Sequence, residues 1–240
     1  MNLTGKVALI TGASGGIGTA IAHRLSSMGM HLVITGRNRK KLDTLKKEIE
    51  IIGTKVHVIV TDISATDTPK ELIEEAIQTF SELDVLVNNA GYAISKPLEE
   101  TTVDEWDQLF AVNARAPFFM CKESIPYLQK SSCATIINVS SVVGRLGYAD
   151  QAVYTASKHA LMGFSKVLAK EVQPLGIRVH TVAPGGVSTE MVKATRSDLD
   201  ISQLIQPKEI ADIVEFLLKH RGNGVIDNIN IRRANSTPFM

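Results

Sequence analysis

TGASGGIG, residues 11–18, connects a short β-branched and apolar run at residues 7–11 to a longer amphipathic run at residues 16–29. A glycine-rich turn between a strand and a helix lets the backbone approach a pyrophosphate, and the helix N-terminus offers free N–H groups and a positive dipole end. The spacing of Gly12, Gly16 and Gly18 departs from the usual G-x-G-x-x-G pattern, and many glycine-rich turns are only turns. The position of this turn between strand and helix favours phosphate binding.

The same alternation of short apolar runs and longer amphipathic runs continues along the chain. Strands are predicted at residues 7–11, 32–35, 56–60, 85–88, 135–139, 178–182 and 225–231, and helices at residues 16–29, 39–52, 69–80, 103–129, 152–173 and 207–219. Continuous apolar strands are typical of buried parallel sheets, and strand–helix alternation places helices on both faces. Right-handed crossovers favour a doubly wound order. The sequence therefore predicts an α/β chain with a three-layer, doubly wound Rossmann fold around a parallel seven-stranded sheet.

The composition indicates one folded unit. The chain has 240 residues, of which 44% are hydrophobic and 21% charged, so a large core can form. No linker, repeat or low-complexity stretch divides it, and we expect residues 1–240 to form a single dinucleotide-binding and catalytic domain. Residues 184–206 have no clear secondary-structure prediction, and we expect them to form a mobile substrate loop over the site.

Charge and cysteine content narrow the classes of partner. The formal net charge of +1 gives no reason to expect nucleic acid or an anionic membrane as a partner. The N-terminus has no apolar signal core, and no stretch approaches the roughly 20 apolar residues of a membrane helix. Cys121 and Cys133 are the only cysteines, which suits a reducing compartment. We expect a cytoplasmic protein.

Three polar residues have a spacing that suggests acid–base chemistry. Tyr154 and Lys158 would lie one turn apart on one face of the predicted helix 152–173. A fixed ammonium favours the phenolate and lowers a phenol pKa from its unperturbed value of about 10. The pair would then act as a general acid or base, and Ser141 would polarise a substrate carbonyl. Taken alone, the tyrosine–lysine spacing also fits a partly exposed helix face.

The end of the second predicted strand bears on the choice of dinucleotide. Sites that prefer NAD usually place an acid there for the ribose 2′-hydroxyl, but Gly36 supplies none and Arg37 follows. A guanidinium can hold a 2′-phosphate, so NADP(H) is preferred over NAD(H). The alternative is that Arg37 and residues 39–41 form a solvated helix start. Asp62, after the third strand, either accepts from the adenine amino group or caps a local turn.

These motifs together resemble the short-chain dehydrogenase/reductase superfamily in its single-domain form, and the resemblance extends to about Met191. The matching motifs, in chain order, are residues 11–18, Asp62, the Asn-Asn-Ala-Gly stretch at 88–91, Asn113, Ser140-Ser141, Tyr154-x-x-x-Lys158 and the Pro-Gly-Gly-Val-Ser-Thr stretch at 184–189. Several separated motifs in one order are more specific than any one of them.

The resemblance implies a catalytic set of four residues. Tyr154 would donate the proton in carbonyl reduction and accept it in alcohol oxidation. Lys158 would hold the nicotinamide ribose and depress the pKa of Tyr154. Ser141 would bind the carbonyl oxygen, and Asn113 would position a water that links Lys158 to solvent. No metal is implied, because the nicotinamide carries the hydride chemistry.

The resemblance and the strand ends also define a predicted cofactor site. Asn88 and Gly91 would line the cofactor channel, and Val187 and Thr189 would contact the nicotinamide carboxamide. The full predicted set is Gly12, Ser14, Gly16, Ile17, Gly18, Arg37, Asp62, Ile63, Asn89, Ala90, Gly91, Tyr154, Lys158, Pro184, Gly185, Val187 and Thr189.

One local feature supports the Asn113 prediction independently. Pro117 lies four residues after Asn113 and has no N–H, so in a continuous helix the Asn113 carbonyl would lose its partner. A freed carbonyl can bind a water or the Lys158 ammonium. Pro117 could also merely kink a long helix.

Aromatic residues on the predicted helix 103–129 suggest packing rather than a cofactor site. Trp106, Phe110, Phe118 and Phe119 recur at helical spacing, which is typical of a core or a subunit interface. Members of the family commonly pair the helices equivalent to 103–129 and 152–173 across a two-fold axis. The resemblance therefore implies a homodimer or homotetramer.

We therefore predict an NADP(H)-dependent carbonyl reductase of class EC 1.1.1.-, which transfers a hydride between nicotinamide and a small ketone or secondary alcohol. The stretch from Asn138 to Pro184 resembles 3-oxoacyl-acyl-carrier-protein reductases. Phe119 and Leu175 stand where basic docking residues would be expected, and the last strand lacks the usual paired glycines after it. A sugar, polyol or hydroxy-acid dehydrogenase stays open, as does a non-catalytic NADP(H) sensor.

Overall fold

The computed structural model describes residues 1–51, 53–196 and 199–238. Some parts of the predictions lie outside the described residues. These are Ile52 at the end of the predicted helix 39–52, residues 197 and 198 in the predicted loop 184–206, and residues 239 and 240 at the C-terminus.

Seven strands form one parallel sheet in the order β3-β2-β1-β4-β5-β6-β7. The strands are β1 (Val7–Ile10), β2 (His31–Gly36), β3 (Val56–Val60), β4 (Val85–Asn88), β5 (Thr135–Val139), β6 (Arg178–Pro184) and β7 (Asn228–Ile231). The predicted doubly wound sheet is confirmed. The strand order reverses between β1 and β4, so the loops after these two strands diverge and leave a crevice at their carboxyl ends.

In the described ranges, eight α-helices connect the strands. They are α1 (Gly16–Ser27), α2 (Arg39–Glu50), α3 (Thr68–Phe80), α4 (Val103–Phe110), α5 (Ala116–Leu128), α6 (Ala152–Val172), α7 (Glu190–Thr195) and α8 (Pro207–Lys219). Within the part of the chain that the structure describes, no helix is both long and apolar enough to cross a membrane.

Side chains that alternate along the strands build a separate core on each face of the sheet. In β1, Ala8 and Ile10 pack with α1, α2 and α8, whereas Leu9 packs with α3, α5 and α6. Both faces are therefore buried, and each fully buried Leu or Ile side chain contributes about 1.5–3 kcal/mol. This arrangement confirms the predicted three layers.

The prediction of one continuous helix over residues 103–129 is corrected by a π-helical segment, Ala111–Arg115, between α4 and α5. Pro117 has no N–H and cannot donate to the Asn113 carbonyl. One residue earlier, the Ala116 N–H donates to the Ala111 carbonyl, five residues back rather than four. Such π-bulges occur frequently at functional sites. The bulge lies at the residue that the sequence singled out.

The last strand is shorter than predicted. Residues 225–227 stay outside β7, with Val225 and Ile226 exposed to solvent. The neighbouring strand β6 contacts this stretch through one backbone hydrogen bond, from the Thr181 N–H to the Asp227 carbonyl at 2.8 Å, and otherwise through side chains. His180 Nδ1 bonds to the Ile226 carbonyl at 2.6 Å, and Arg178 donates to the carbonyls of His220 and Gly222.

Residues 184–206 contain more regular structure than the predicted loop. The segment holds α7, and a single bridge joins Val187 to Ile205. Thr189 caps α7 by accepting a hydrogen bond from the Val192 N–H at 3.4 Å. Because Val187, Leu204 and Ile205 are buried, the two ends of the segment are anchored to the core and α7 lies between them.

Substituting two helical glycines by alanine should change stability in opposite directions. A Cβ at Gly18 would meet the Gly12 carbonyl oxygen and stand 2.8 Å from the Ala13 Cα, whereas a Cβ at Gly163 on α6 would meet nothing within 4 Å. We expect Gly18→Ala to lower the free energy of unfolding by about 1–3 kcal/mol. Gly163→Ala should raise it by about 0.5–1 kcal/mol, because glycine is a poor residue in a helix interior. Urea unfolding measures both, and equal effects of the two substitutions would contradict the packing argument.

Candidate active site

A cavity of about 880 Å³ lies at the carboxyl ends of β1, β2, β3 and β4. Its lining includes these predicted cofactor residues: Gly12, Ser14, Gly16, Ile17, Gly18, Arg37, Asp62, Ile63, Asn89, Ala90, Gly91 and Thr189. Of the rest, Tyr154 and Gly185 line a second cavity. Lys158, Pro184 and Val187 are buried behind these two cavities and line neither.

The glycine-rich turn is held against the loop after β4 by backbone contacts. Gly12 has φ +66°, and a Cβ there would stand 2.8 Å from the Ala90 Cα. Asn89 Nδ2 donates to the carbonyls of Thr11 and Gly12 at 2.9 and 3.1 Å, and Thr11 Oγ1 accepts from the N–H groups of Asn89 and Ala90 at 3.0 Å. No side chain caps the N-terminus of α1. Its N–H groups therefore suit the phosphates of a dinucleotide, which these residues would hold.

The far end of this cavity carries the groups expected to meet an adenosine ribose. A Cβ at Gly36 would meet Ser14 Oγ at 2.8 Å, and the Arg37 side chain is exposed at the rim. Asp62 Oδ1 accepts from the Ser64 N–H at 2.9 Å, so Asp62 caps a local turn. This hydrogen bond, together with the Ser64 hydroxyl and the Arg37 charge, lowers the pKa of Asp62. Arg37 therefore places a positive charge at the end of the cavity where the adenosine ribose is expected.

Helix α6 places Tyr154 and Lys158 beside Ser141, which follows β5. Ser141 and Tyr154 line the same cavity. Lys158 Nζ lies 5.9 Å from the centroid of the Tyr154 ring and donates to the Val139 carbonyl at 3.1 Å. The structure thus brings the three polar residues together at one edge of the sheet.

Asn113, the fourth predicted catalytic residue, is fully buried and its side chain is fully used. Its Oδ1 accepts from the Tyr92 N–H at 2.9 Å, and its Nδ2 donates to the Tyr92 carbonyl at 2.8 Å and to Ser157 Oγ at 3.0 Å. A Cβ at Gly91 would stand 3.7 Å from Asn113 Oδ1 and 3.8 Å from Lys158 Nζ. The side chain of Asn113 therefore anchors the loop after β4, so a water or Lys158 would have to use its main-chain carbonyl.

Burial sets the protonation of the tyrosine–lysine pair. Burial raises the pKa of Tyr154, and the Ser141 hydroxyl opposes this rise. Burial also lowers the pKa of Lys158 to about 8. The predicted fall in the pKa of Tyr154 does not occur in this structure, because burial of the phenol dominates and the Lys158 ammonium donates to the Val139 carbonyl. Tyr154 is a protonated donor at neutral pH.

The second cavity, of about 580 Å³, opens in front of Ser141 and Tyr154. Met191 on α7 lines both cavities, so the two spaces are adjacent. Sequence reasoning missed several residues of this wall, namely Ile94, Arg145, Leu146, Asn230, Arg232 and Arg233. They come from separate loops, from β7 and from the chain after it, and no local motif marks them.

Comparison with known proteins defines the class. A family model described as short chain dehydrogenase matches residues 6–200. The chain belongs to the short-chain dehydrogenase family of oxidoreductases, whose members act on alcohol or carbonyl groups.

Named relatives are similar over nearly their whole length. The chain is 34% identical over 237 residues to 3-oxoacyl-acyl-carrier-protein reductase of Thermotoga maritima, covering 95% of this chain and 96% of that protein. It is 34% identical to the 3beta-hydroxysteroid dehydrogenase of Mediterraneibacter gnavus, covering 97% and 84%.

Solved structures give the same class. A metagenomic short-chain oxidoreductase in complex with NADP is 34% identical with a TM-score of 0.85, covering 98% of this chain and 100% of the other. An alcohol dehydrogenase of Thermococcus sibiricus complexed with 5-hydroxy-NADP is 27% identical with a TM-score of 0.89, covering 97% and 98%.

Lys158 makes the stability of the protein depend on pH in a defined direction. Its pKa is about 8 when folded, against 10.5 ordinarily, so the charged form is penalised by roughly 3 kcal/mol in the folded state. The penalty is complete below pH 8, declines as the pH rises from 8 to 10.5, and vanishes above that. We expect the stability advantage of Lys158→Met over the wild type to shrink by about 3 kcal/mol between pH 7 and pH 10.5. Urea unfolding at both pH values measures this difference, and a gap independent of pH would show that the buried charge is not penalised.

Proposed function

We propose that the protein is an NADP(H)-dependent oxidoreductase that transfers a hydride between nicotinamide and a ketone or secondary alcohol, with Tyr154 as the general acid and base. The observation that carries the proposal is the position of the Tyr154 and Ser141 side chains, which line one ligand-sized cavity. Buried Lys158 lies behind it. A phenol so placed can protonate a carbonyl oxygen within that cavity.

The residues divide the work of carbonyl reduction. Ser141 and Tyr154 bind the carbonyl oxygen through their hydroxyls, which orients the carbonyl carbon. A bound reduced nicotinamide supplies the hydride. As the carbon–oxygen π bond breaks, the oxygen takes the proton of Tyr154, and the Lys158 ammonium stabilises the phenolate that is left. A water on the Asn113 main-chain carbonyl returns a proton through Lys158. Alcohol oxidation runs the same steps in reverse.

Cofactor placement follows from the two cavities. The glycine-rich turn and Asn89 would hold the pyrophosphate, Lys158 the nicotinamide ribose, and Val187 and Thr189 the carboxamide. We propose that residues 184–206 close over the substrate, because α7 carries Met191, which lines both cavities. The whole chain, residues 1–240, then acts as one catalytic domain.

NADP(H) is preferred in this proposal because of the rim at β2. Gly36 brings no acid to the ribose, and the Arg37 guanidinium is exposed beside it. Several similar solved structures were obtained with NADP or a derivative.

A second candidate is a 3-oxoacyl-acyl-carrier-protein reductase, which the similarity to the Thermotoga maritima enzyme favours. Phe119 and Leu175 count against it, since neither offers a positive charge to an acidic carrier. Faster oxidation of NADPH with acetoacetyl-CoA than with free ketones would favour this candidate. The remaining alternative, a non-catalytic NADP(H) sensor, would not need the proton donor.

We also propose that the protein forms a homodimer or homotetramer. The outer faces of α4, α5 and α6 expose Trp106, Phe118 and Val167, of which 45%, 47% and 55% of the residue surface is accessible. Large apolar residues gathered on neighbouring helices mark a surface for association. Size-exclusion chromatography with light scattering measures the assembly.

Removing the phenol oxygen should separate chemistry from binding. We expect Tyr154→Phe to reduce NADPH-dependent ketone turnover by about 10²–10⁴-fold, because the proton donor is lost. NADPH affinity should change little, since Tyr154 lines the other cavity. Steady-state kinetics and fluorescence titration measure the two quantities, and Tyr127→Phe on α5 serves as the control. Unchanged turnover in Tyr154→Phe would favour the sensor.

Arg37 should discriminate between the two dinucleotides. We expect Arg37→Ala to weaken NADPH binding by about tenfold or more and to leave NADH binding nearly unchanged, because only NADPH carries a phosphate for the guanidinium. Arg39→Ala is the matched comparison, since the Arg39 guanidinium lies 3.8 Å from the Asp43 carboxylate. Equal losses for both dinucleotides in Arg37→Ala would show that Arg37 does not read the 2′-phosphate.

A further inference from the structure

The cavity in front of Tyr154 is strongly positive. Its arginines are Arg145, Arg196, Arg232 and Arg233, and no acidic residue lines it among the residues that the structure describes. The whole chain carries a formal net charge of only +1, so this excess is local. A cleft lined by charges of one sign raises the local concentration of ligands of the opposite sign.

Two of these arginines have partners within the protein. Arg232 Nη1 donates to the carbonyls of Arg233, Ala234 and Ser236 at 3.0–3.1 Å, which fixes the chain after β7. Arg196 also has a partner within the protein. These contacts explain the positions of the Arg232 and Arg196 side chains.

Arg233 has no such explanation. It is half-buried beside the glycines that follow β6, with its Cδ 3.6 Å from where a Cβ of Gly186 would lie. Its guanidinium makes no ion pair or side-chain hydrogen bond with any residue in the described ranges. A partly desolvated guanidinium without an anion leaves charge-assisted hydrogen bonds unmade, and a carboxylate or phosphate oxygen satisfies them. The position next to Gly185 and Gly186 puts this charge on the wall of the cavity.

Arg145 brings a second unpartnered guanidinium to the same cavity. It follows the short 3₁₀ turn Val142–Gly144, whose N-cap is Ser141, with Ser141 Oγ accepting from the Val143 N–H at 3.3 Å. The Arg145 side chain is exposed and has no acidic partner in the part of the chain that is described. Its placement is thus tied through a single short turn to the hydroxyl that faces the substrate carbonyl.

Apolar side chains also line this cavity, among them Ile94, Leu146, Met191 and Leu199. A pocket with apolar side chains and a few polar groups favours a ligand that has both apolar and polar parts. Tyr154 would meet the reacting oxygen of such a ligand, and a guanidinium would meet its anion.

We propose that this cavity selects ketones or secondary alcohols that carry a carboxylate or phosphate, and that Arg233, assisted by Arg145, binds the anionic group. The inference rests on the proposed function, because Tyr154 defines the reacting end. It names the substrate class that the motifs alone leave open.

The test uses pairs of compounds that differ in the anion. Isothermal titration calorimetry on the NADP⁺-loaded protein compares 5-oxohexanoate with its methyl ester, and dihydroxyacetone phosphate with dihydroxyacetone. We expect the charged member of at least one pair to bind about tenfold or more tightly than the neutral member. The pair that shows the preference identifies carboxylate or phosphate as the anion. The preference should weaken as NaCl is raised.

Three variants assign the effect to the arginine. Arg233→Ala should remove most of the preference, Arg233→Lys should keep part of it, and Lys170→Ala, an equal charge loss on an exposed part of α6, should leave it intact. Circular dichroism and NADPH titration establish that each variant is folded.

Equal binding of charged and neutral members in both pairs overturns the inference. So does a preference that survives intact in the double variant Arg145→Ala, Arg233→Ala. NADPH oxidation with the same compounds tests the proposed function separately. Reduction of neutral and charged members alike, with equal binding, rejects the anion site and keeps the oxidoreductase. A binding preference without reduction supports the anion site and counts against Tyr154-dependent reduction of these ketones.

Discussion

The contact between the turn after β1 and the loop after β4 is the constraint on which the site depends. Thr11 and Asn89 tie the two backbones together, and Gly12 and Gly18 leave no room for a Cβ between them. The contact lies where the strand order reverses, so the loops could otherwise spread apart. Because of it, the N-terminus of α1 faces an open cavity rather than a side chain, and Gly91 is positioned between Asn113 and Lys158.

Two of the predicted catalytic residues, Lys158 and Asn113, are polar groups buried in the core. Lys158 is almost completely buried, and its Nζ donates a hydrogen bond to the Val139 carbonyl. The side-chain amide of Asn113 is fully hydrogen-bonded to Tyr92 and Ser157. Natural proteins accept such local costs at functional sites, where stability and activity trade against each other. The π-helical segment is part of the same compromise, since it breaks a regular hydrogen-bond ladder at a residue needed elsewhere.

The sequence allowed the sheet and most helix positions to be predicted, because buried parallel strands and amphipathic helices have distinct local patterns. The strands at 56–60, 85–88 and 135–139 have the predicted ends. The prediction that residues 225–227 belong to the last strand was wrong. Whether an apolar run joins a sheet depends on the hydrogen bonds that the neighbouring strand makes to it. The predicted direction of the pKa shift of Tyr154 was wrong for a related reason. Helical spacing shows that a lysine lies nearby, but the burial of the phenol is set by the whole tertiary structure. Arg145 and Arg233 could not be predicted as one site, because they are 88 positions apart in the sequence and line the same cavity only in the folded chain.

Met191 forms part of the wall of both cavities, and its helix is suspended between two anchored ends. A shared wall means that the free energy of filling one space depends on whether the other is filled, and this dependence is reciprocal. Under the proposed function, cofactor and substrate would be thermodynamically linked through a single side chain. Evolution at position 191 would then change the affinity for both partners of the reaction together.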